Sequence, residues 1–109
     1  MTNILFVCSA NVDRSPTAER IYSGHPELAV KSAGVSPHAT TWISAALVEW
    51  ADIILCMEKW QRKTIEIEFS SHIGQRVIDY LDVPDSYRFM NEKLVRIIRE
   101  KVDAWLEEY

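Results

Sequence analysis

Apolar residues in this chain fall into short continuous runs that alternate with amphipathic stretches. Residues 3–8 and 52–57 form two runs of strand length, which are typical of central parallel strands buried on both faces. Shorter runs at 29–33, ended by Gly34, and at 76–81 predict two more strands. The pattern therefore predicts a sheet of four strands.

The amphipathic stretches between and after these runs predict helices. Ser15-Pro16 supplies a favourable N-cap and first helical position for a helix that ends at Gly24. Apolar residues recur at helical spacing over 41–51 and from residue 91 to the end. Residues 58–69 also favour a helix, although their last part alternates apolar and acidic residues as a strand would.

Strands that alternate with helices predict parallel pairing. We therefore expect an α/β fold, a three-layer sandwich with a central four-stranded parallel sheet. A length of 109 residues suits one domain, so we expect a single domain over residues 1–109. Ligands of such folds bind beyond the carboxyl ends of the strands, which makes the loop after the first strand the favoured site.

Composition and charge exclude some classes of function. Hydrophobic residues make up 48% of the chain and charged residues 26%, as in ordinary globular proteins. A formal net charge of −4 disfavours a general nucleic-acid binder, which needs a surplus of basic residues. No apolar stretch approaches the roughly 20 residues of a membrane span, and no signal-peptide pattern is present. We predict a cytoplasmic protein without a nucleic-acid or membrane partner.

The loop of residues 8–15, Cys-Ser-Ala-Asn-Val-Asp-Arg-Ser, carries the candidate chemistry. It leads into a helix N-terminus, where free N–H groups and the helix dipole favour an anion and also the thiolate of Cys8. Arg14 is close enough to present its planar fork to two phosphate oxygens. Ser15 is placed to hold the sulfur, and Asn11 tolerates the left-handed backbone of a tightly wound loop. We predict a phosphate loop after strand 1 with Cys8 as nucleophile.

Residues 7–19, Val-Cys-Ser-Ala-Asn-Val-Asp-Arg-Ser-Pro-Thr-Ala-Glu, resemble the phosphate-binding signature of the low-molecular-weight protein tyrosine phosphatases. The likeness continues in Ser32-Ala33-Gly34 and in residues 52–58, Asp-Ile-Ile-Leu-Cys-Met-Glu. Asp85-Ser86-Tyr87 resembles the family's Asp-Pro-Tyr segment. The matches follow the family's order from about residue 4 to about residue 90.

This resemblance implies a phosphatase that hydrolyses phosphotyrosine or other aryl phosphate monoesters through a cysteinyl-phosphate intermediate, without a metal or cofactor. It implies Cys8, Arg14 and Asp85 as catalytic residues, with Asp85 as the general acid. The partner would be a phosphorylated protein or a small aryl phosphate. The residues implied to bind the substrate are those of the loop and one aromatic residue: Ser9, Ala10, Asn11, Val12, Asp13, Ser15 and Tyr87.

The sequence differs from the usual family pattern at three positions. Ala10 replaces a usual Gly, Asp13 stands where Cys is frequent, and Ser86 replaces Pro. An acid that points into a phosphate site opposes anion binding. One alternative is therefore a catalytically weak phosphate- or phosphoprotein-binding module of the same fold.

A second alternative is a thiol-dependent arsenate reductase, which shares the fold and the Cys-x5-Arg loop. That chemistry requires further cysteines that pass on a disulfide. Cys56, inside a predicted strand, is the only other thiol, and we expect it to be structural. The three histidines show no ligand spacing, so no metal site is predicted.

Overall fold

The computed structural model describes residues 1–109. The strands are β1 Thr2–Cys8, β2 Leu28–Gly34, β3 Ile53–Cys56 and β4 Val77–Tyr80. The helices are α1 Arg14–Tyr22, α2 Ala45–Trp50, α3 Lys59–Glu68, α4 Ser70–Ile73 and α5 Glu92–Glu108.

All four strands are parallel and form one sheet in the order β2-β1-β3-β4. Side chains of β1 alternate between two hydrophobic cores because successive residues of a strand point to opposite faces. Ile4, Phe6 and Cys8 pack in one core with residues of α1 and α5. Leu5 and Val7 pack in the other with residues of α2 and α3. The predicted three-layer α/β sandwich is therefore confirmed.

The long terminal helix covers one face of the sheet. Leu94, Ile98 and Val102 recur at helical spacing and are fully buried. Each such side chain contributes about 1.5–3 kcal/mol through burial. The helix predicted from residue 91 onwards is confirmed, with Asn91 as the N-cap whose side chain accepts from the backbone N–H of Lys93.

Two predicted helix starts are wrong. The first helix begins at Arg14, so Ser15 lies inside it and Asp13 is the N-cap. The helix predicted over 41–51 begins only at Ala45, after the N-cap Ser44. Residues 41–43 are instead extended along the end of β2.

Residues 58–69 form a helix rather than a strand, as favoured by the sequence. Glu58 and Gln61 start it with reciprocal side-chain-to-backbone hydrogen bonds, a capping box. None of the helices in the molecule combines the length and the apolar composition that a membrane crossing requires.

Candidate active site

Cys8 ends β1 at the carboxyl edge of the sheet, and its side chain is almost fully buried. The Cys8 Sγ atom lies 2.9 Å from the hydroxyl oxygen of Ser15. It also accepts the backbone N–H of Asn11 at 3.2 Å. The Ser15 hydroxyl and the Asn11 N–H thus both lie within hydrogen-bond distance of the sulfur.

The peptide groups that follow Cys8 are oriented by a neighbouring segment. The carbonyl oxygens of residues 8–10 accept backbone N–H groups from residues 35–40, outside the loop. In a planar trans peptide the N–H group points opposite to the carbonyl oxygen. The N–H groups of residues 9–11 therefore point into the loop, and such a row of amides forms an anion-binding concavity. The three outward bonds are Val35 to Cys8 (3.0 Å), Ser36 to Ser9 (3.0 Å) and Thr40 to Ala10 (3.1 Å).

Asn11 fixes the tight curvature of the loop. Its φ of 54° places it in the left-handed region, as predicted, and its side chain is buried. The side-chain amide nitrogen donates to Ser15 Oγ at 2.9 Å and to Ser32 Oγ at 3.0 Å. Its oxygen accepts the N–H of Thr41 at 3.1 Å. Since Ser15 also contacts Cys8, Asn11 couples the loop backbone to the group beside the sulfur.

Gly34 allows the loop to lie directly against β2. A Cβ atom built at this position would overlap the carbonyl oxygen of Ser9 and the side chain of Ala39. It would also lie 3.0 Å from the backbone nitrogen of Asn11. Only a glycine lets the loop of residues 8–15 approach the strand this closely.

Arg14 uses one edge of its guanidinium group for hydrogen bonds within the protein and leaves the other edge free of them. Its Nη1 donates to Glu58 Oε2 at 2.7 Å and to the carbonyl oxygen of Val83 at 2.9 Å. Nε and Nη2 make no hydrogen bond within the protein, and Nε lies 3.7 Å from Asp85 Oδ1. No buried side-chain nitrogen or oxygen lacks a partner, so these two nitrogens reach the opening of the site. They are the ones available to a bound anion.

Sequence reasoning missed the roles of Glu58 and Gln61. Glu58 pairs with Arg14, whereas Gln61 is fully buried and donates to Ser9 Oγ at 3.2 Å. Gln61 also accepts the backbone N–H of Glu58 at 2.9 Å. The spacing Glu58-x-x-Gln61 directly after an apolar strand is a capping-box signal that was available in the sequence. It identifies the helix start but not the contacts with the loop.

Of the three aspartates between β4 and α5 or on β4 itself, Asp79, Asp82 and Asp85, only Asp85 lies within 4 Å of Arg14. The Asp85 side chain is 67% exposed and belongs to a segment without regular structure. Asp79 is held on β4, where its carboxylate accepts the indole N–H of Trp105 at 2.8 Å and lies 3.6 Å from Arg62. Asp82 is exposed, and only its carbonyl oxygen is bonded.

The side chains of the remaining predicted site residues differ in their exposure. Ala10 and Val12 are exposed, and Tyr87 is partly buried against the core below α5. The Asp13 carboxylate turns outward and accepts the backbone N–H of Phe89 at 2.8 Å. Asp13 therefore does not place its charge inside the loop, where it would oppose an anion.

No group of three or more histidine, cysteine, aspartate or glutamate side chains is arranged to hold a metal ion. Cys56 lies in the core on the other side of the sheet from Cys8. Burial raises the pKa of the Cys56 thiol well above its ordinary value, because the thiolate would lose its hydration there.

Comparison with known proteins identifies relatives of this chain. No family model matches it. The low-molecular-weight protein tyrosine phosphatase Ptp of Acinetobacter johnsonii is 34% identical over 88 aligned positions, which cover 59% of this chain and 62% of that relative. The low-molecular-weight protein tyrosine phosphatase Wzb of Escherichia coli K12 is 30% identical over 125 aligned positions that cover 87% of this chain and 84% of Wzb.

Comparison of the fold with solved structures also finds a Wzb protein. Wzb of Vibrio vulnificus, determined in complex with benzylphosphonate, superposes with a TM-score of 0.78 over 99% of each chain, at 25% identity. Because the match with the Escherichia coli protein extends over most of both chains, this chain belongs to the low-molecular-weight protein tyrosine phosphatase family of cysteine-dependent enzymes.

Proposed function

We propose that this phosphatase hydrolyses phosphotyrosine or other aryl phosphate monoesters through a covalent phosphate on Cys8. The observation that carries the proposal is that one short segment, residues 8–14, supplies three groups suited to a phosphate. These are the inward N–H groups of residues 9–11, the free edge of Arg14 and the Cys8 sulfur. An anion with three equatorial oxygens fits this arrangement of donors.

In the first step the Cys8 thiolate attacks phosphorus in line with the bond to the leaving oxygen. The S–P bond forms while the P–O bond breaks, and the loop amides and Arg14 stabilise the charge on the equatorial oxygens. Asp85, protonated, transfers its proton to the leaving phenolate. The products of this step are the free phenol and a phosphorylated Cys8.

In the second step a water molecule hydrolyses the cysteinyl phosphate. The Asp85 carboxylate accepts a proton from the water as its oxygen attacks phosphorus, and the S–P bond breaks. The Ser15 hydroxyl, 2.9 Å from the sulfur, stabilises the departing thiolate by hydrogen bonding. Inorganic phosphate leaves, and Cys8 and Asp85 return to their starting forms.

Two features support an aryl substrate. Tyr87 lies two residues after Asp85 and is partly exposed, so it is available to flank the ring of an aryl phosphate. The benzylphosphonate bound by the Vibrio vulnificus relative also carries an aromatic ring. We therefore propose a phosphorylated tyrosine, in a protein or a smaller molecule, as the substrate class.

Neither alternative from the sequence has a structural observation in its favour. Thiol-dependent arsenate reduction needs a second thiol beside the first, and Cys56 lies on the opposite face of the sheet. The alternative of a binding module rests on Ala10, Asp13 and Ser86, and of these the Asp13 carboxylate turns out of the loop.

The test compares the wild type with Cys8→Ser on phosphotyrosine and on phosphoserine as an alkyl control. We expect turnover of phosphotyrosine only, no turnover by Cys8→Ser, and retained affinity of that variant for the substrate. Rapid acid quench and mass spectrometry of the wild type should find one phosphate on Cys8. Normal turnover by Cys8→Ser would falsify the mechanism, and binding without product release by the wild type would favour the binding module.

A further inference from the structure

The backbone around Asp85 is hydrogen-bonded to the rest of the protein only at the two ends of its segment, while the Tyr87 side chain packs against the core between them. We define the acid loop as residues 82–90, between β4 and α5, which contains no helix or strand. Within it, the backbone of residues 84–88 makes one hydrogen bond, from the N–H of Asn91 to the carbonyl oxygen of Arg88. The position of Asp85 therefore depends on how the two ends are held.

Both ends are attached to consecutive residues of the phosphate loop. At the first end, the carbonyl oxygen of Val83 accepts from Arg14 at 2.9 Å, while its N–H donates to the carbonyl oxygen of Met57. At the second end, the N–H of Phe89 donates to Asp13 Oδ1 at 2.8 Å. Arg14 thus holds the first end of the acid loop, and Asp13 holds the second end.

Thr17 reinforces the second attachment. Its hydroxyl oxygen accepts the backbone N–H of Met90 at 2.9 Å. The same hydroxyl donates to the carbonyl oxygen of Asp13 at 2.6 Å. The two side chains therefore hold successive N–H groups of the acid loop and are joined to each other through one turn of α1.

The Asp13 side chain does not make the hydrogen bond that is usual for an aspartate at a helix N-cap. An aspartate at a helix N-cap usually accepts an N–H group from the first turn of its own helix. Asp13 is the N-cap of α1, yet its side chain makes no such bond. It contacts Phe89 instead, 76 residues away in the sequence.

Backbone conformation shows that the acid loop needs these attachments. Asp82 and Met90, at its two ends, both have a φ of 60°. Aspartate tolerates the left-handed region, but for methionine it is unfavourable and persists only where surrounding contacts hold it. Loss of one attachment would therefore release the loop into other conformations.

We propose that Asp13 is a positioning residue for the reaction: through Phe89 it holds the acid loop so that Asp85 reaches the leaving oxygen. This inference rests on the proposed role of Asp85 as general acid. It assigns a role to a residue at which the sequence differs from the usual family pattern.

The first experiment measures kcat and KM of Asp13→Ala with phenyl phosphate, a poor leaving group, and with p-nitrophenyl phosphate, an activated one. We expect kcat for phenyl phosphate to fall about 10- to 100-fold, the range for misplacement of a reacting group by about 1 Å. The kcat for p-nitrophenyl phosphate should fall much less, because its leaving group hardly needs the proton. KM and inhibition by inorganic phosphate should stay unchanged.

Two further variants separate positioning from general damage. Asp13→Asn keeps an oxygen acceptor for the Phe89 N–H and should restore most of the lost rate. Asp52→Ala is the matched control, because the Asp52 carboxylate also accepts a backbone N–H, that of Asn3, at 2.8 Å. Asp52 precedes β3 and therefore lies at the opposite end of the sheet, so this change should leave both rates intact.

The double variant Asp13→Ala/Asp85→Asn gives the decisive comparison. Once Asp85 cannot transfer a proton, its position no longer matters, so Asp13→Ala should cause no further loss. Additive losses, equal losses with both substrates, or a weakened affinity for inorganic phosphate would each overturn the inference. If Asp85→Asn lowers kcat and Asp13→Ala does not, the inference about Asp13 fails while the general-acid assignment stands. If Asp85→Asn itself leaves both rates unchanged, the general-acid assignment fails, and the inference fails with it.

Discussion

Cys8 and Cys56 lie on opposite faces of the sheet although they are neighbours in strand register. Val7 pairs directly with Cys56 across β1 and β3, and Cys8 is the next residue along β1. Because alternate residues of a strand point to opposite faces, the two thiols are directed into different cores. A disulfide between them would require the sheet to come apart.

This separation predicts how the protein responds to peroxide. We expect Cys8 to be oxidised beyond the sulfenic acid, irreversibly, because no second thiol is available to trap it as a disulfide. Cys56 should stay reduced because its pKa is raised by burial. Mass spectrometry should show added oxygens on Cys8 alone, with inorganic phosphate as a protecting control. Full recovery of activity with dithiothreitol after prolonged exposure would contradict this prediction.

Replacement of Arg14 by lysine keeps the positive charge, but we expect it to lower catalytic activity strongly. In Arg14→Lys a single ammonium replaces a fork that bonds Glu58 and Val83 with one edge and faces the loop with the other. We expect kcat/KM to fall by on the order of 10²–10³-fold, as for loss of a transition-state donor. Arg62→Lys is the control, since Arg62 only pairs with Glu66 and Asp79 at the surface. Equal activity of the two variants would argue against the clamp.

The choice of general acid is tested by a pair of aspartates on the same loop. Asp85→Asn should lower turnover of poor leaving groups by roughly 10²- to 10⁴-fold, the range of general acid catalysis, with little change in substrate affinity. Asp82→Asn should resemble the wild type, because only the backbone carbonyl of Asp82 is bonded. The reverse result would transfer the role to Asp82.

Gly34 offers a test of the close packing behind the phosphate loop. In Gly34→Ala the new methyl group would displace the backbone of Ser9, so we expect a loss of about 1–3 kcal/mol of stability from overpacking. Activity should fall as well, because the inward amides would move. Gly24→Ala is the control: its φ of 84° brings strain, but no atom lies within 4 Å. It should cost about 1 kcal/mol of stability with unchanged kinetics. Unaltered activity of folded Gly34→Ala would show that the amides tolerate displacement.

Tyr22 predicts how stability depends on alkaline pH. Burial, together with the hydrogen bond to Asp103, raises the pKa of Tyr22 above its usual value near 10. The unfolded chain therefore loses this proton first, so the contribution is fully present below about pH 10 and is lost as pH rises further.

Urea unfolding of Tyr22→Phe checks this dependence. At neutral pH we expect the free energy of unfolding to fall by about 1 kcal/mol for the lost hydrogen bond. Above about pH 10 the variant should lose stability less steeply than the wild type. Tyr109→Phe, at an exposed position, should follow the wild-type curve. Parallel curves for Tyr22→Phe and wild type would rule out the coupling.

The layers of the fold were predictable because their signal is local. Each continuous apolar run became a strand and each amphipathic stretch a helix, since burial of one face or two depends on residues close in sequence. The start of α2 was not predictable. Residues 41–43 have helical spacing, but Gly34 donates its N–H to Thr41 and accepts the N–H of Ile43. These bonds join segments that the sequence pattern treats separately.

The candidate site likewise combines features that the local sequence predicts with contacts that only the fold reveals. The roles proposed for Cys8 and Arg14 could be inferred from their place on one short loop. The sequence predicted two roles for Ser15, helix N-cap and contact with the sulfur, and the folded loop retains only the contact with Cys8. The contact of Gln61 with Ser9 joins residues 52 positions apart, which no local pattern specifies.

The internal bonds of Arg14 have a consequence for the entropy of substrate binding. A free arginine side chain loses about 2 kcal/mol of rotamer entropy when it is fixed in one conformation. Here Glu58 and Val83 fix the guanidinium group as the protein folds. That loss therefore does not recur with each turnover. Relative to a flexible arginine, the prior fixation strengthens anion binding by roughly 10- to 30-fold, since about 1.4 kcal/mol corresponds to a factor of ten.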